Sequence, residues 1–295
     1  MISPTHHQIH AAVVAALAED LSLGDVTTDA LFSDYLSSRA TIIAHESLIV
    51  AGIAVARCVF HEVDADLRVV RAAKDGAAIR ANSPVLVVEG DGRALLAAER
   101  VAVNFLQHLS GVATLTRRFC SAVRGYRTQI VDTRKTTPGL RTLEKWAVAL
   151  GGGRNHRQSL GDGILIKDNH LALLRPYGIR GVKACRLARE RGPHGLRVIM
   201  EARSLPEVRE ALEGGADTIL LDNMTTQLVR EAVNIIKGRA LVEASGGITL
   251  ARATELAAAG ADLLSIGALT HSAAAVNLSM DIVPLRARRA HGHRS

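Results

Sequence analysis

The sequence predicts an α/β protein in two parts: an N-terminal domain built on antiparallel strands, and a C-terminal domain of successive β–α units. Three observations carry this. Aromatic residues make up only 3% of a 295-residue chain that is 48% hydrophobic, with mean hydropathy +0.15. The core must therefore be built from Ala, Val, Leu and Ile, which suits parallel α/β packing better than an aromatic-rich β sandwich. From about residue 128 the pattern changes to strand, loop, helix. Four apolar strands then end at Glu201, Asp222, Ser245 and Gly267, at spacings of 21, 23 and 22 residues. Polar residues at each strand's C-terminal end point to an α/β barrel or a related wound sheet.

The elements follow in order. Ile9, Val13, Ala16 and Leu17 recur at helical spacing, so a helix is expected over about 5–20, followed by a turn from Asp25 to Asp29. Short apolar runs (Ala40 to Ala44, Leu48 to Val50, Leu67 to Val70, Val85 to Glu89) alternate with turn signals such as Asp75-Gly76 and Asn82-Ser83-Pro84. That is an antiparallel sheet with one inserted helix, around Ile53 to Phe60. A helix is expected from Arg93 to Leu109 and a second from near Ser110. Strands before Asp132 and at Ile164 to Ile166 bring the β–α part to about six strands. Ser204 with Glu207 makes a capping box, Pro206 falls in the first turn and Gly214-Gly215 ends that helix. Thr249 is placed to cap the next helix and Gly260 to end it.

Composition excludes several classes of function. The formal charge is +7, but Arg286, Arg288, Arg289 and Arg294 lie in the last ten residues. No aromatic residues interleave with the cations, so a base-stacking surface is not expected and nucleic acid is not a partner. Cys58, Cys120 and Cys185 are widely spaced and form no CxxC pair, which suggests neither a zinc site nor a disulfide framework. No apolar run reaches the roughly 18 residues of a membrane helix, and no signal-like segment opens the chain. The expectation is a cytoplasmic protein without a membrane partner.

The chemistry concentrates in residues 132–170, which hold seven Arg or Lys and two His against four acidic residues. Arg134 and Lys135 follow the apolar pair Ile130 and Val131. His156 and Arg157 follow the triple glycine 151–153. Lys167 ends the run Ile164 to Ile166. Cations at strand ends share a cleft in open α/β folds and barrels, and Arg grips carboxylate or phosphate at two points. The alternative is a set of surface ion pairs. A small ligand with several anionic groups fits the pattern better.

Ser245-Gly246-Gly247 lies between a strand and a helix, and Gly267 follows the next strand. Glycines let backbone N–H groups approach an anion, so these two loops make a candidate phosphate site, with His271 and Ser272 on the same side. Glu201 and Asp222 end adjacent strands and should converge. Two carboxylates facing a cationic pocket suit Mg²⁺ held together with substrate oxygens and water, or a cationic sugar carbon. A salt bridge to Lys135 or Lys167 is the structural alternative, and Glu243 is a weaker third carboxylate.

The run 132–170 resembles the quinolinate phosphoribosyltransferase family, whose DTRKT-PGLR-LEK-AV--GGG-NHR-L-D--LIKDNH pattern is present without a gap. The opening segment EDLSLGDVTTDAL (19–31), the helix ERVAVNFLQHLSGVAT (99–114), and then Leu220 to Asn223, EASGGI (243–248) and IGALTHS (266–272) continue the likeness over roughly residues 15–280. The resemblance implies an N-terminal α/β sandwich domain over 1–114, completed by 275–295, and an incomplete, open TIM-like α/β barrel over 115–274. It implies transfer of phosphoribosyl from phosphoribosyl pyrophosphate (PRPP) to quinolinate with decarboxylation, giving nicotinate mononucleotide, pyrophosphate and CO₂ in NAD biosynthesis. By the same resemblance Arg100, Arg134, His156, Arg157 and Lys167 bind quinolinate, and Ser245, Gly246, Gly247, Gly267 and His271 bind the 5-phosphate. Lys135 sits near the pyrophosphate and is catalytic together with Glu201 and Asp222, which also hold Mg²⁺. Arg100 is contributed by the neighbouring subunit of a homodimer, the minimal unit of any larger assembly. His170 is expected to be structural, closing the loop after Lys167.

One departure stands out. The family has a Glu-x-Glu pair where this chain has Ile199-Met200-Glu201. Competing readings are a Schiff-base aldolase using Lys167, a nicotinate-specific phosphoribosyltransferase, a molybdenum-transport relative and a basic nucleic-acid module. Asp168 and the cation cluster favour a charged Lys167, against the first. One carboxylate would need fewer cations, against the second. The intact NHR and KDNH segments disfavour the third.

Overall fold

The computed structural model describes residues 3–285. Arg286, Arg288, Arg289 and Arg294, with His291 and His293, lie outside the described residues. Along the chain the elements are α1 (His6–Asp20), α2 (Val26–Leu31), β1 (Ser37–Ala44), β2 (Leu48–Ile49), α3 (Ile53–Val63), β3 (Arg68–Ala72), β4 (Ala78–Ile79), β5 (Ser83–Asp91) and α4 (Gly92–Ala122). They continue with β6 (Gln129–Val131), α5 (Arg141–Gly151), β7 (Ile164–Ile166), α6 (Asp168–Leu174), α7 (Gly181–Arg191), β8 (Val198–Ala202), α8 (Leu205–Glu213) and β9 (Thr218–Asp222). The last are α9 (Thr226–Ile236), β10 (Leu241–Ser245), α10 (Leu250–Ala258), β11 (Leu263–Ser265), α11 (Ala268–His271) and β12 (Leu278–Pro284).

The chain divides into two compact units. The first takes in the residues up to Thr114, helix segment Thr142–Gly151 and the residues from Ala273 on; the second takes in Leu115–Arg141 and Gly152–Ser272.

Unit one is an antiparallel four-stranded sheet in the order β12-β1-β5-β3, with a small β2-β4 pair beside it. In β1 the side chains of Ala40, Ile42 and Ala44 are buried and alternate with more exposed ones, as a sheet with one covered face requires. Asp75 caps α3 from a distance: its carboxylate accepts the N–H groups of Gly52, Ile53 and Ala54 at 2.7, 3.0 and 3.3 Å. Glycine at 52 has φ +104°, so no local side chain takes that role.

Two expectations fail in this unit, and one short strand goes unseen. Asp25 to Asp29 is not a plain turn: Asp25 accepts the Thr28 N–H and starts α2. The strand β4 carries too short an apolar signal to be seen in sequence. The two helices expected to meet near Ser110 are a single 31-residue helix. Gly111 does not break it, because glycine there answers a packing need. A Cβ on Gly111 would sit 2.2 Å from the Ala274 carbonyl oxygen. Ser110 bonds outward, accepting the Ala51 N–H at 3.0 Å and donating to Ala51 O at 3.2 Å. Helix α5 also belongs to this unit, where buried Glu144 meets His108 Nε2 at 2.8 Å.

Unit two is a six-stranded parallel sheet in the order β6-β11-β10-β9-β8-β7. It stays open, with β6 and β7 as its edges. The interior strands β8 and β9 are buried almost throughout, as parallel strands covered on both faces are. Alternate residues face one interior in tiers. Leu165, Ile199, Thr218 and Leu241 share the lowest tier; Glu201, Leu220, Glu243 and Leu263 share the next; Asp222, Ser245 and Ser265 share the uppermost. Ser204 caps α8 as expected, but Glu207 reaches the Arg203 N–H at 2.6 Å, so the box is displaced by one residue. Thr249 caps α10. Strand β11 ends at Ser265, two residues before Gly267, which instead precedes the short helix α11.

Candidate active site

The pocket lies at the C-terminal ends of the parallel strands of unit two, in a cavity of about 290 Å³. Arg134, Lys135, His156, Arg157 and Lys167 line it, together with Glu201, Asp222, Glu243 and Ser245. The cations and the carboxylate pair singled out from sequence thus meet in one place.

Local hydrogen bonding explains how the cations are held. Asp132, fully buried at the end of β6, accepts the His156 N–H at 2.8 Å through Oδ1 and the Asn155 side-chain amide at 2.7 Å through Oδ2. The segment after the triple glycine also bridges β6 in parallel, with Asp132 N–H to Arg154 O at 3.1 Å and Arg154 N–H to Ile130 O at 2.8 Å. Free edge β6 therefore gains a partner that carries His156 and Arg157 to the cavity. On the other side of Asp132, the Lys135 N–H donates to Thr133 Oγ1 at 3.0 Å and turns Arg134 and Lys135 over the pocket.

The charges are strained. Burial, reinforced by Arg134, holds the Arg157 guanidinium below its usual pKa, opposed by Asp162 and Glu243. Nε of Arg134 and Nε of Arg157 are buried without a hydrogen-bond partner. Arg157 Nη1 donates to Gly163 O at 3.0 Å. Each of the two arginines thus keeps a buried donor without a partner.

His156 is held by a hydrogen bond at Nδ1. Nδ1 accepts the Arg157 N–H at 2.7 Å, so the neutral ring carries its proton on Nε2, which faces Glu243 Oε1 at 3.4 Å. That separation is too long for a well-formed hydrogen bond, and neither Glu243 oxygen has a hydrogen-bond partner. Glu243, rated a minor candidate from sequence, is fully buried on the pocket floor. Lys167 is exposed at the end of β7, and His170 Nδ1 accepts its N–H at 2.9 Å, closing that loop.

Glu201 and Asp222 lie near enough for the charge of one to act on the other. Burial pushes the Glu201 carboxyl up, Asp222 pushes it further, and Lys167 opposes. Neither of the lysines anticipated as ion-pair partners holds them. Arg203 does, with Nη2 3.5 Å from Glu201 and Nε 3.4 Å from Asp222. Ile199 lies one tier below Glu201 and lines an adjoining cavity that shares His156, Arg157 and Glu243 with the cationic pocket. The departure at 199 falls on that adjoining cavity and leaves Glu201 in place.

At the proposed phosphate end, Gly267 lies beneath Lys135 and His271: an added Cβ would stand 3.1 Å from Lys135 Cδ and 3.0 Å from His271 Nε2. Gly246 and Gly247 have φ of +96° and +54°. A Cβ on Gly246 would lie 2.1 Å from Asn223 Oδ1. The two glycines precede α10 by a short turn and do not themselves start it. Arg100 lies in unit one, 62% exposed, with Glu99 at 3.8 Å, and does not line the pocket.

Sequence reasoning passed over Asp132, Thr133, Arg203, Asn223 and Ser265. Asp132 and Thr133 belong to the DTRKT run, and Ser265 stands at a strand end. Arg203 carried no signal beyond its place two residues after Glu201.

Comparison with known proteins agrees with this geometry. Residues 112–281 match the model of the quinolinate phosphoribosyl transferase C-terminal domain, and residues 25–110 match that of its N-terminal domain. The chain belongs to the quinolinate phosphoribosyltransferase family. A probable nicotinate-nucleotide pyrophosphorylase (carboxylating) of Bacillus subtilis is 38% identical over 277 residues, 94% of each chain. The chloroplastic enzyme of that name in Arabidopsis thaliana is 38% identical over 297 residues, covering 95% of this chain and 84% of its own. The solved nicotinate-nucleotide pyrophosphorylase of Francisella tularensis superposes with a TM-score of 0.90 at 32% identity, covering 95% of this chain and 98% of its own. Human nicotinic acid phosphoribosyltransferase shares the fold at TM-score 0.58 and 13% identity.

Proposed function

We propose that this chain transfers the phosphoribosyl group of PRPP to the ring nitrogen of quinolinate, with loss of CO₂, as its part in NAD biosynthesis. One observation carries the reading: Arg134, Lys135, Arg157 and Lys167 converge in one cavity on the side chains of Glu201 and Asp222. A dianionic ring acid and a pyrophosphate-bearing sugar are the ligands that such a split of charge accepts.

Quinolinate's two adjacent carboxylates lie against Arg134, Arg157 and Lys167. His156 is held at Nδ1 by the Arg157 N–H, so the ring shapes the floor of this subsite and Nε2 meets the ligand beside Glu243. Lys135, His271 and the glycine loops at 246–247 and 267 take the phosphate groups. The ring nitrogen attacks C1 of the ribose while the C1–O bond to pyrophosphate breaks. Lys135 meets the charge that builds on the leaving group, and Glu201 and Asp222 favour the oxocarbenium-like carbon. The quaternised ring then accepts the electron pair of the breaking C2–carboxylate bond, and a proton takes the place of CO₂.

The carboxylate pair fits Mg²⁺. Among the described residues no cluster of three or more His, Cys, Asp or Glu forms a closed cage, and two carboxylates suit an ion that keeps waters and shares substrate oxygens. Glu201 and Asp222 would hold it, and when bound it neutralises the pyrophosphate charge.

Arg100 completes the quinolinate subsite of a second copy in a homodimer. Unit one exposes Leu23 (90%), Val26 (71%) and Leu31 (69%), a run of apolar side chains suited to burial against such a copy. A cytoplasmic setting remains part of the reading; no described helix is long and apolar enough to cross a membrane.

The test is product analysis with quinolinate, PRPP and Mg²⁺. Nicotinate mononucleotide and CO₂ should form together. Comparable turnover with nicotinate would overturn the substrate assignment.

A further inference from the structure

We propose that Arg203 is a built-in counter-cation of the Glu201–Asp222 pair, holding in the free protein the position between the two carboxylates that a divalent cation would otherwise take. Three carboxylates from three successive strand ends meet its one guanidinium. Nη1 is 2.9 Å from Asp168, after β7; Nη2 is 3.5 Å from Glu201, in β8; Nε is 3.4 Å from Asp222, at the end of β9. All three guanidinium nitrogens thus face anions. The backbone of Arg203 is anchored, since its N–H donates to Glu207 at the start of α8. The side chain is 54% exposed, so it can leave the pair without unpacking the sheet.

A guanidinium and a divalent cation cannot both use these oxygens at close range. They compete for the same acceptors, and their charges repel at contact distance. A carboxylate pair that shares a guanidinium holds a free metal ion less tightly than the same pair without it would. The ion then arrives with PRPP, whose pyrophosphate brings enough negative charge to turn Arg203 outward. Arg203 also offsets the repulsion between Glu201 and Asp222 before substrate binds, which keeps the two carboxylates in place.

The inference rests on the reading of Glu201 and Asp222 as the metal-side carboxylates, but its test needs no turnover. Mn²⁺ alone is titrated into the free protein and followed by the loss of its free-ion electron paramagnetic resonance signal. Arg203→Gln should bind Mn²⁺ about tenfold or more tightly than the parent, because removal of one positive charge at contact distance from a doubly charged ion is worth at least that. Adding Glu201→Gln should abolish the gain. Arg203→Lys, which keeps the charge, should stay within about threefold of the parent.

Circular dichroism and retained quinolinate binding certify that each variant is folded. Unchanged Mn²⁺ affinity in folded Arg203→Gln overturns the proposal. So does a gain that survives Glu201→Gln, or an Arg203→Lys protein that behaves like Arg203→Gln. Failure of the parent to make nicotinate mononucleotide would count against the proposed reaction and leave the Mn²⁺ result standing by itself.

Discussion

Arg157→Ala separates a binding role from a structural one. The Arg157 guanidinium makes one hydrogen bond, to Gly163 O, and keeps a buried Nε with no partner. Burial and the neighbouring Arg134 both disfavour its charge in the folded chain. A structural arginine would have its donors satisfied. This one is held short of partners and beside another cation, so its compensation comes from outside the chain. Truncation removes the repulsion with Arg134 and the desolvation penalty at the cost of one hydrogen bond. The melting temperature should therefore hold or rise. Quinolinate, in contrast, loses a charged two-point partner and keeps a carboxylate facing a pocket. Such losses cost about 2–4 kcal/mol, or roughly 30- to 1000-fold in Kd. Isothermal titration with quinolinate reads this directly, and a parallel titration with PRPP and Mg²⁺ should move little. Arg157→Lys should recover only part of the loss, because lysine keeps the charge without the planar fork. A quinolinate Kd within about fivefold of the parent would refute the reasoning. A PRPP affinity that falls as far as quinolinate's would mean that the two subsites are reversed.

Three other outcomes are expected. Because burial and then Asp222 raise the Glu201 pKa in the folded state, the fold binds that proton more tightly than the unfolded chain does; stability therefore falls as pH rises from the ordinary carboxylate range through the raised value. Glu201→Gln should melt higher than the parent at neutral pH, with the gap closing near about pH 4, while turnover is lost; a lower melting temperature at neutral pH would reverse the sign. Gly111→Ala should be destabilising although alanine is the better helix former by about 1 kcal/mol, since its methyl meets the Ala274 carbonyl and overpacking typically costs about 1–3 kcal/mol; a raised urea midpoint would contradict this. Arg100→Ala and Lys135→Ala should each be inactive dimers that regain activity on mixing, with about a quarter of all sites intact at statistical exchange. No recovery after exchange seen by native mass spectrometry would assign Arg100 to its own subunit or to none.

Much of the pocket was legible because its residues stand at strand ends. Arg134, Lys135 and Lys167 follow apolar runs, and Glu201, Asp222 and Ser245 end them, so the parallel pattern alone brings them to one rim. Glu243 was harder to weigh. It sits in the middle of β10, and only the tier it shares with Glu201, Leu220 and Leu263 shows that its side chain reaches the pocket floor. Arg203 was not legible at all: an exposed arginine near a helix start reads as solvated surface.

The sequence by itself determined what is local or periodic. This includes the antiparallel and parallel parts, the six strands of unit two, the caps at Ser204 and Thr249, and the gathering of cations and carboxylates at strand ends. Those features follow from side-chain alternation and from hydrogen bonding within a few residues. Tertiary structure alone decided which distant groups meet. It made α4 continuous through Gly111, because the Ala274 backbone fills the space a side chain would need. It grouped α5 with unit one, and it fastened the segment carrying His156 and Arg157 to Asp132. It also set Arg203 among three carboxylates that lie 35, 2 and 19 residues away along the chain. Pairing of that kind depends on where the backbone returns, and no residue pattern within one segment encodes it.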